Sequence, residues 1–392
     1  MKKTLALEAH WASEMTGLYI HIPFCKKACH YCDFHFSTNL KYRGEMLIAL
    51  CTELSSKATE FNNAPAILDS LYFGGGTPSI LNMEEWSELW KCIHQHYELK
   101  PKAEITLEAN PDDLTEENLR YLSSTPINRL SIGIQSFRDE DLLWMNRAHN
   151  AEDAISALGK ARQFGFKHFS LDLIYGIPGM SDEVWIQNIK IALSQGVNHI
   201  SAYSLTVEEG TALHHFISQG KSAATDDEQS SSQYRILCAM LKEEGFLHYE
   251  VSNFAQPGHE AVHNSGYWSG MHYVGIGPSA HSYDGKTRSW NVSNNAKYMK
   301  AILQGSTACE TEVCTDQSLY NEAVLTGLRR KSGLNIEHLK QRFGKDIKKD
   351  FKAEMEEYIG SKWLMEKDGV LVPTDEGMLW SDRMSSSLFI TD

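Results

Sequence analysis

Six short apolar runs are each separated from the next by a helical pattern, and this alternation admits few folds. The runs are Leu18–Ile22, Ser70–Phe73, Glu104–Glu108, Arg129–Ile134, His168–Leu173 and His199–Leu205. The helical patterns between them are Tyr42–Thr59, Glu84–His94, Glu116–Ser123, Ala151–Phe164 and Asp182–Ser194. Strand alternating with helix predicts a parallel sheet covered by helices. Right-handed crossovers curl such a sheet toward a barrel. Six units rather than eight leave one side open, so the expected class is α/β, a partial (β/α)6 barrel.

The 392 residues allow two domains, and the 42% of hydrophobic residues supply a sizeable core. The barrel is expected over 1–245, where the polar stretch Asp226–Gln233 precedes a helix Tyr234–Glu244. A connecting region over 246–305 follows. Within it, Tyr249–Ser289 is rich in Gly, His and aromatics and has no clear period. Over 306–392 the expected helices are Asp316–Arg329, Asn335–Phe343 and Ile347–Ile359. Trp363–Glu366 and Val370–Thr374 then read as strands around a turn. Helices followed by a hairpin suggest a small α+β, winged-helix-like domain.

A net charge of −14 speaks against a general phosphate-binding surface, and so against nucleic acid as a partner. No apolar run reaches the roughly 18 residues of a membrane span. Met1–Ala12 has two lysines but no apolar run, so it does not read as a secretory leader, and a cytoplasmic location is expected. In that setting the eight cysteines are not a disulfide framework.

Three cysteines are clustered. Cys25-x3-Cys29-x2-Cys32 lies on one loop just past the first strand. An iron–sulfur cubane usually takes four thiolates, so three leave one iron open to a small bidentate ligand. A zinc ion is the other reading; it needs a fourth ligand, which His21, His30 or His35 can supply. The loop's place at the C-terminal mouth of a β/α barrel favours cofactor chemistry.

The segment YIHIPFCKKACHYC together with FGGGTPS resembles the radical SAM superfamily, within it the oxygen-independent coproporphyrinogen oxidases and their relatives. That resemblance implies a 4Fe–4S cluster on Cys25, Cys29 and Cys32, with S-adenosyl-L-methionine (SAM) on the open iron. It implies that Gly75, Gly76 and Thr77 hold the amino group of SAM and that Glu108 holds its ribose. It further assigns Tyr19, Gln135, Arg147 and Asp172 to SAM, with the guanidinium on the carboxylate.

The oxidases carry another cysteine two residues after the third, where this chain has Phe34. Their leader before the cluster is also longer. Both departures resemble the sister group, the radical SAM haem chaperones of HemW type. His263-Asn264-Ser265-Gly266-Tyr267-Trp268 is similar to the HNxxYW motif of that group. His is a good axial ligand for haem iron, and Tyr and Trp offer faces to a porphyrin. A packed, hydrogen-bonded loop is the other reading of the same residues. The following GIGPSAHSY also resembles the group, and its His281 faces the cluster, the haem or neither.

The function implied is to bind haem beside a SAM-ligated cluster and deliver it to a haem-acceptor protein, such as a membrane respiratory enzyme, with a homodimer as the working unit. The alternative is a radical SAM enzyme of porphyrin biosynthesis that oxidatively decarboxylates coproporphyrinogen III. Phe34 speaks against that activity.

Overall fold

The computed structural model describes residues 15–60 and 66–391. The leader reading of Met1–Ala12 lies outside them. All six expected strands are present: β1 (Thr16–Ile22), β2 (Ala66–Gly75), β3 (Tyr97–Ala109), β4 (Arg129–Gln135), β5 (His168–Tyr175) and β6 (His199–Ser204). They are consecutive neighbours and all parallel.

Each strand alternates, as a pleated strand must. Leu18, Ile20 and Ile22, Leu71 and Phe73, Leu130, Ile132 and Ile134, and Leu171 and Leu173 pack into one large core beneath the helices. The opposite face is polar. Strands β2 to β6 each contribute one buried hydroxyl: Ser70, Thr106, Ser131, Ser170 and Ser201. Tyr72, Glu108, Asp172 and Tyr203 lie on that same face. The charge of Glu108 on β3 is felt by Asp172 on β5 and Tyr203 on β6, two and three strands away. In a curled sheet this polar face lines the lumen. Closed barrels fill the interior with branched apolar layers; this lumen is lined instead with small hydroxyls, carboxylates and phenols.

The helices supply the apolar side. In the helix Met83–His96, Trp86, Leu89, Trp90 and Ile93 recur at helical spacing and are buried. Its start is fixed by a capping box between Asn82 and Glu85, and Asn150 with Asp153 does the same for Ala151–Gln163.

Beyond residue 245 the sheet continues at both edges. Next to β6 lie antiparallel β8 (Asn253–Ala255) and β7 (Leu247–Glu250). On the far side of β1 lies parallel β9 (His272–Ile276), followed by antiparallel β10 (His281–Tyr283), β11 (Thr287–Asn291) and β12 (Cys309–Val313). The helix Val262–Ser269 carries the HNSGYW sequence and connects the two edges. Its first N–H groups, from Val262 and His263, donate to the Glu104 carboxylate at 3.0 and 2.9 Å.

The C-terminal domain has its own core, built on Tyr320, Val324, Leu328, Leu339, Met355, Tyr358, Leu364 and Leu371. Its three strands are antiparallel, β13 (Leu334–Asn335) and β14 (Leu364–Lys367) flanking β15 (Val370–Pro373). The single helix expected over Ile347–Ile359 is broken at Phe351, whose φ of −127° and ψ of 48° lie outside the helical region. The bend sends Ile347 before it and Met355 and Tyr358 after it into the same core.

One buried carboxylate joins four segments. Glu53, on the helix Arg43–Lys57, accepts from Gly277 N (2.8 Å), Asn291 Nδ2 (2.8 Å) and Tyr298 OH (2.7 Å), and pairs with Lys57 at 3.3 Å. Removing it strands buried donors from three elements and leaves Lys57 without its partner. Glu53→Ala is therefore expected to cost about 3–5 kcal/mol. A lowered urea midpoint for loss of tertiary structure measures this, and Glu53→Gln, which keeps one acceptor, loses less.

Candidate functional site

The three cysteines lie on a loop that leaves β1 at Pro23 and returns beside its own start. Ser37 N donates to Pro23 O (2.9 Å) and Cys25 N to Ser37 O (3.1 Å). The middle of the loop is fastened from outside. His30 N and Nδ1 bond the carbonyls of Met145 (3.1 Å) and Trp144 (2.7 Å), and Asn146 Nδ2 donates to Ala28 O (2.7 Å). Leu213 N donates to His30 O (2.7 Å). The thiolate carriers are thus held by the segment after β4 and the helix Ala212–Ser218 as well as by β1.

The glycine loop after β2 packs directly on them. Gly76 N donates to Ile22 O (2.9 Å) and Thr77 N to Phe24 O (2.7 Å). A Cβ on Gly76 would stand 2.6 Å from Phe24 O and 2.8 Å from Phe24 N, so only glycine permits this approach. Gly75 has φ +110° and its N–H donates to Glu108 Oε2 at 3.1 Å, while Tyr72 OH donates to Oε1 at 2.7 Å.

Polar side chains point at the sulfurs. Thr77 Oγ1 donates to Cys25 Sγ (3.4 Å) and Arg147 Nη1 to Cys29 Sγ (3.2 Å). Arg147 Nη2 also reaches Asn110 Oδ1 (2.7 Å) and Gly133 O (2.6 Å), and Asn110 Nδ2 in turn donates to Thr77 Oγ1 (3.2 Å). Arg147 Nε is buried without a partner. Burial pushes the Cys25 thiol up to about 11 and the Cys32 thiol up to about 12, so both carry protons at neutral pH and must release them to bind metal. Burial also raises Glu108, against its bonds from Tyr72 and Gly75. Asp172 is raised to about 7, by burial first and the Glu108 charge second.

Tyr19 stacks on Tyr72 with ring centres 6.0 Å apart, and its hydroxyl bonds His21 Nδ1 at 3.1 Å. His21 Nε2 bonds the carbonyl of His35 (2.9 Å), and the ring of His35 bonds Asn295 (2.7 Å). With His30 on Trp144, all three histidines weighed as a fourth zinc ligand have other partners. Among the described residues, no three His, Cys, Asp or Glu side chains converge as a single-ion site requires. A cubane asks for something different, one thiolate at each of three irons. Three sulfurs on one pinned loop, two of them receiving side-chain hydrogen bonds, suit that demand. The orphaned Arg147 Nε and the glycine cradle suit an anionic and amine-bearing ligand beside it.

The structure therefore brings together Cys25, Cys29, Cys32, Gly75, Gly76, Thr77, Glu108 and Arg147, with Tyr19 and Asp172 deeper in the lumen. Gln135 is buried at the end of β4 with φ +71°. Phe34 is 70% exposed at the rim.

His263, Tyr267 and Trp268 are elsewhere, under the lumen. His263 is 1% exposed, as the packed, hydrogen-bonded reading of this segment expects. Its Nδ1 bonds Ser70 Oγ and its Nε2 bonds Tyr267 OH, each at 2.8 Å, and it stacks on Tyr72 at 5.1 Å. Burial lowers this imidazole to about 3, so it is neutral. Trp268 is half-buried against the guanidinium of Arg329, 5.3 Å from its ring centre. His281 is exposed and stacks on Trp290. Sequence reasoning missed Asn110, which couples Thr77 to Arg147. Its only signal is its place two residues past Glu108, where a strand ends.

Residues 19–192 match the radical SAM superfamily, and residues 315–380 match the HemN C-terminal domain. The chain is 39% identical over 329 residues to the heme chaperone HemW of Mycobacterium tuberculosis, covering 82% of this chain and 84% of that protein. It is 33% identical to the heme chaperone HemW of Bacillus subtilis, covering 94% and 98%. Among solved structures, the coproporphyrinogen III oxidase HemN from Escherichia coli superposes with a TM-score of 0.83 over 99% of this chain and 93% of that one. The identity there is 22%, so that likeness speaks for the fold.

Asp172 gives a pH signature. Its carboxyl titrates near 7 when folded and near 3.8 otherwise. Between those values the folded state holds the extra proton, so stability falls as pH rises from about 4 to about 7. Asp172→Asn is expected to make the metal-free chain more resistant to urea than wild type at pH 8. That advantage shrinks steadily as pH is lowered toward 4. An advantage constant across pH would refute the assignment.

Proposed function

Because the chain belongs to the HemW family of radical SAM haem chaperones, we propose that it holds a 4Fe–4S cluster and SAM at the lumen mouth and carries haem to an acceptor protein. The observation that supports this most directly is the pinned thiolate loop, with Thr77 and Arg147 hydrogen-bonded to its sulfurs.

In this reading Cys25, Cys29 and Cys32 each ligate one iron. A bound cluster supplies an open iron for an amino-acid head and a low-potential electron. The chain's own groups do the rest. Arg147 neutralises thiolate charge and presents its free Nε to a carboxylate. The carbonyls around Gly75 and Gly76 take an amino group, with Thr77 beside them. Glu108, fixed by Tyr72 and Gly75 N, accepts from sugar hydroxyls. Asp172 and the hydroxyl ring complete a polar floor, and Tyr19 closes one wall. Gln135, turned at a left-handed backbone position, borders the same space. A lumen lined with polar side chains, rather than filled with branched apolar ones, suits a polar ligand.

Haem is the cargo in this reading, and a membrane respiratory haemoprotein is the acceptor, reached from the cytoplasm, where thiols stay reduced. A homodimer is the working unit in this reading. Tyr267 and Trp268 lie beside His263, but His263 in the present arrangement has both nitrogens engaged. Ligating iron from it requires breaking the bond to Ser70 or to Tyr267.

Anaerobic reconstitution tests the whole reading. Wild type is expected to take up about four iron and four sulfide per chain. Changing Cys25, Cys29 and Cys32 together to Ser should abolish that uptake, and SAM should perturb the spectrum of the loaded protein alone. Haemin titration should give a saturable shift in its absorbance. His263→Ala separates the roles of that residue. Loss of the axial-ligand spectrum with retained cluster makes it the haem ligand, and loss of both makes it a support for the lumen. Protoporphyrinogen formed from coproporphyrinogen in step with SAM use would replace the chaperone reading with the oxidase one.

A further inference from the structure

Parallel strands place all their first residues at one end of the barrel, away from the thiolate loop. Two imidazoles meet there. His168 is the first residue of β5, and His259 lies on the turn between β8 and the helix Val262–Ser269. Their Nδ1 atoms are 3.3 Å apart, and their ring centres 5.2 Å apart. We propose that His168 and His259 form a binding site for a divalent transition-metal ion, with zinc as its type.

The two distances carry the argument. Rings meeting along a straight N–H···N bond would have centres about 5.6 Å apart, since an imidazole nitrogen lies about 1.15 Å from its ring centre. The observed 5.2 Å is shorter, so the nitrogens do not meet along a straight line through both ring centres, and the ring planes are inclined by 41°. With both lines from ring centre to nitrogen turned to one side, a symmetrical pair would have them meet roughly 2.0 Å beyond each nitrogen, which is the zinc–imidazole bond length. Two nitrogens 3.3 Å apart, at about 2.0–2.1 Å from one ion, subtend roughly 104–111°, the tetrahedral range.

The carriers of both rings are fixed before any ion arrives. Asn198 Oδ1 accepts from Phe169 N (3.3 Å) and its Nδ2 donates to Lys167 O (2.9 Å), clamping both neighbours of His168. The carbonyl of the same residue accepts from Gln256 N (2.9 Å), and Gln256 O accepts from His259 N (2.9 Å). Arg129 Nη1 donates to His259 O at 3.2 Å. One asparagine therefore ties together the backbone that carries both imidazoles, so little backbone ordering is left for binding to accomplish. The positive charge of Arg129 is offset by Glu104, 3.6 Å away. Burial first, and then the charges of His259 and Arg129, lower His168. His168 is exposed, and among the described residues no third protein ligand joins the pair. The remaining coordination positions go to water, as in an open, exchangeable site.

Zinc chloride is the probe. The full chain, with its cluster reconstituted so that the three thiolates are occupied, is titrated against a chromophoric zinc chelator. The same titration on the Cys25→Ser, Cys29→Ser, Cys32→Ser chain keeps the result independent of the cluster. Both are expected to bind one zinc in the micromolar range. His168→Ala and His259→Gln should each weaken that binding at least tenfold, with cluster absorbance unchanged. Copper(II) at the site should show two-nitrogen hyperfine splitting in its electron paramagnetic resonance spectrum. Wild type that takes no zinc at tens of micromolar, or variants that bind as wild type does, would overturn the site. Should His168→Ala disturb folding, His259→Gln on its surface turn decides the matter alone.

Discussion

The curled sheet works only because its two faces are chemically opposite. Parallel strands are usually apolar on both sides, because both are buried. Here one side carries Leu, Ile and Phe against the helices, and the other carries hydroxyls, carboxylates and phenols. A buried polar group is costly unless it is bonded, and most of these are. Ser70 pairs with His263, Tyr72 with Glu108, Ser131 with Asp172, and Ser170 with His199 and Ser201. Thr106 Oγ1 alone of the hydroxyl ring has no partner, and its register places it level with Arg129, two residues before Glu108 on the same strand. The lumen is a satisfied polar cavity with a few unspent groups aimed at its centre.

That design explains where the HNSGYW helix goes. A six-stranded open barrel leaves its floor uncovered. The helix Val262–Ser269 closes it, with Glu104 taking its first N–H groups and Ser70 and Tyr72 meeting His263. β9 then returns alongside β1, so the segment that plugs the floor also completes the sheet. A neutral, doubly bonded histidine under the ligand face is a support by geometry, whatever role it takes when cargo is present.

The sequence was legible where interactions are local. The six strands and their helices followed from runs and periods, because each run buries its apolar side against the next helix. The thiolate loop was legible because its ligands lie within eight residues of each other. Arg147 and Glu108 were reachable through resemblance only, since nothing local says that a guanidinium over a hundred residues from Cys29 will bond its sulfur. Strands β7 to β12 escaped notice because they are three to five residues long and are defined by partners far away in the chain. The polar face was visible in the alternation of LDSLYF, EITLE and HFSLDL, yet apolar counting looked past it. His263 had two readings in the sequence, an axial ligand and a packed hydrogen-bonded residue, and its burial with bonds to Ser70 and Tyr267 is the packed one in this arrangement.

The fastening of His30 has a consequence for the order of events on the ribosome. Its carbonyl is held by Leu213 and its ring by Trp144. The thiols are made early, but the bond from Leu213 to the His30 carbonyl cannot form until nearly two hundred further residues have been added. A half-made chain therefore carries the three cysteines on a loop that lacks its last fastening, and only the finished barrel holds that loop by all of these bonds.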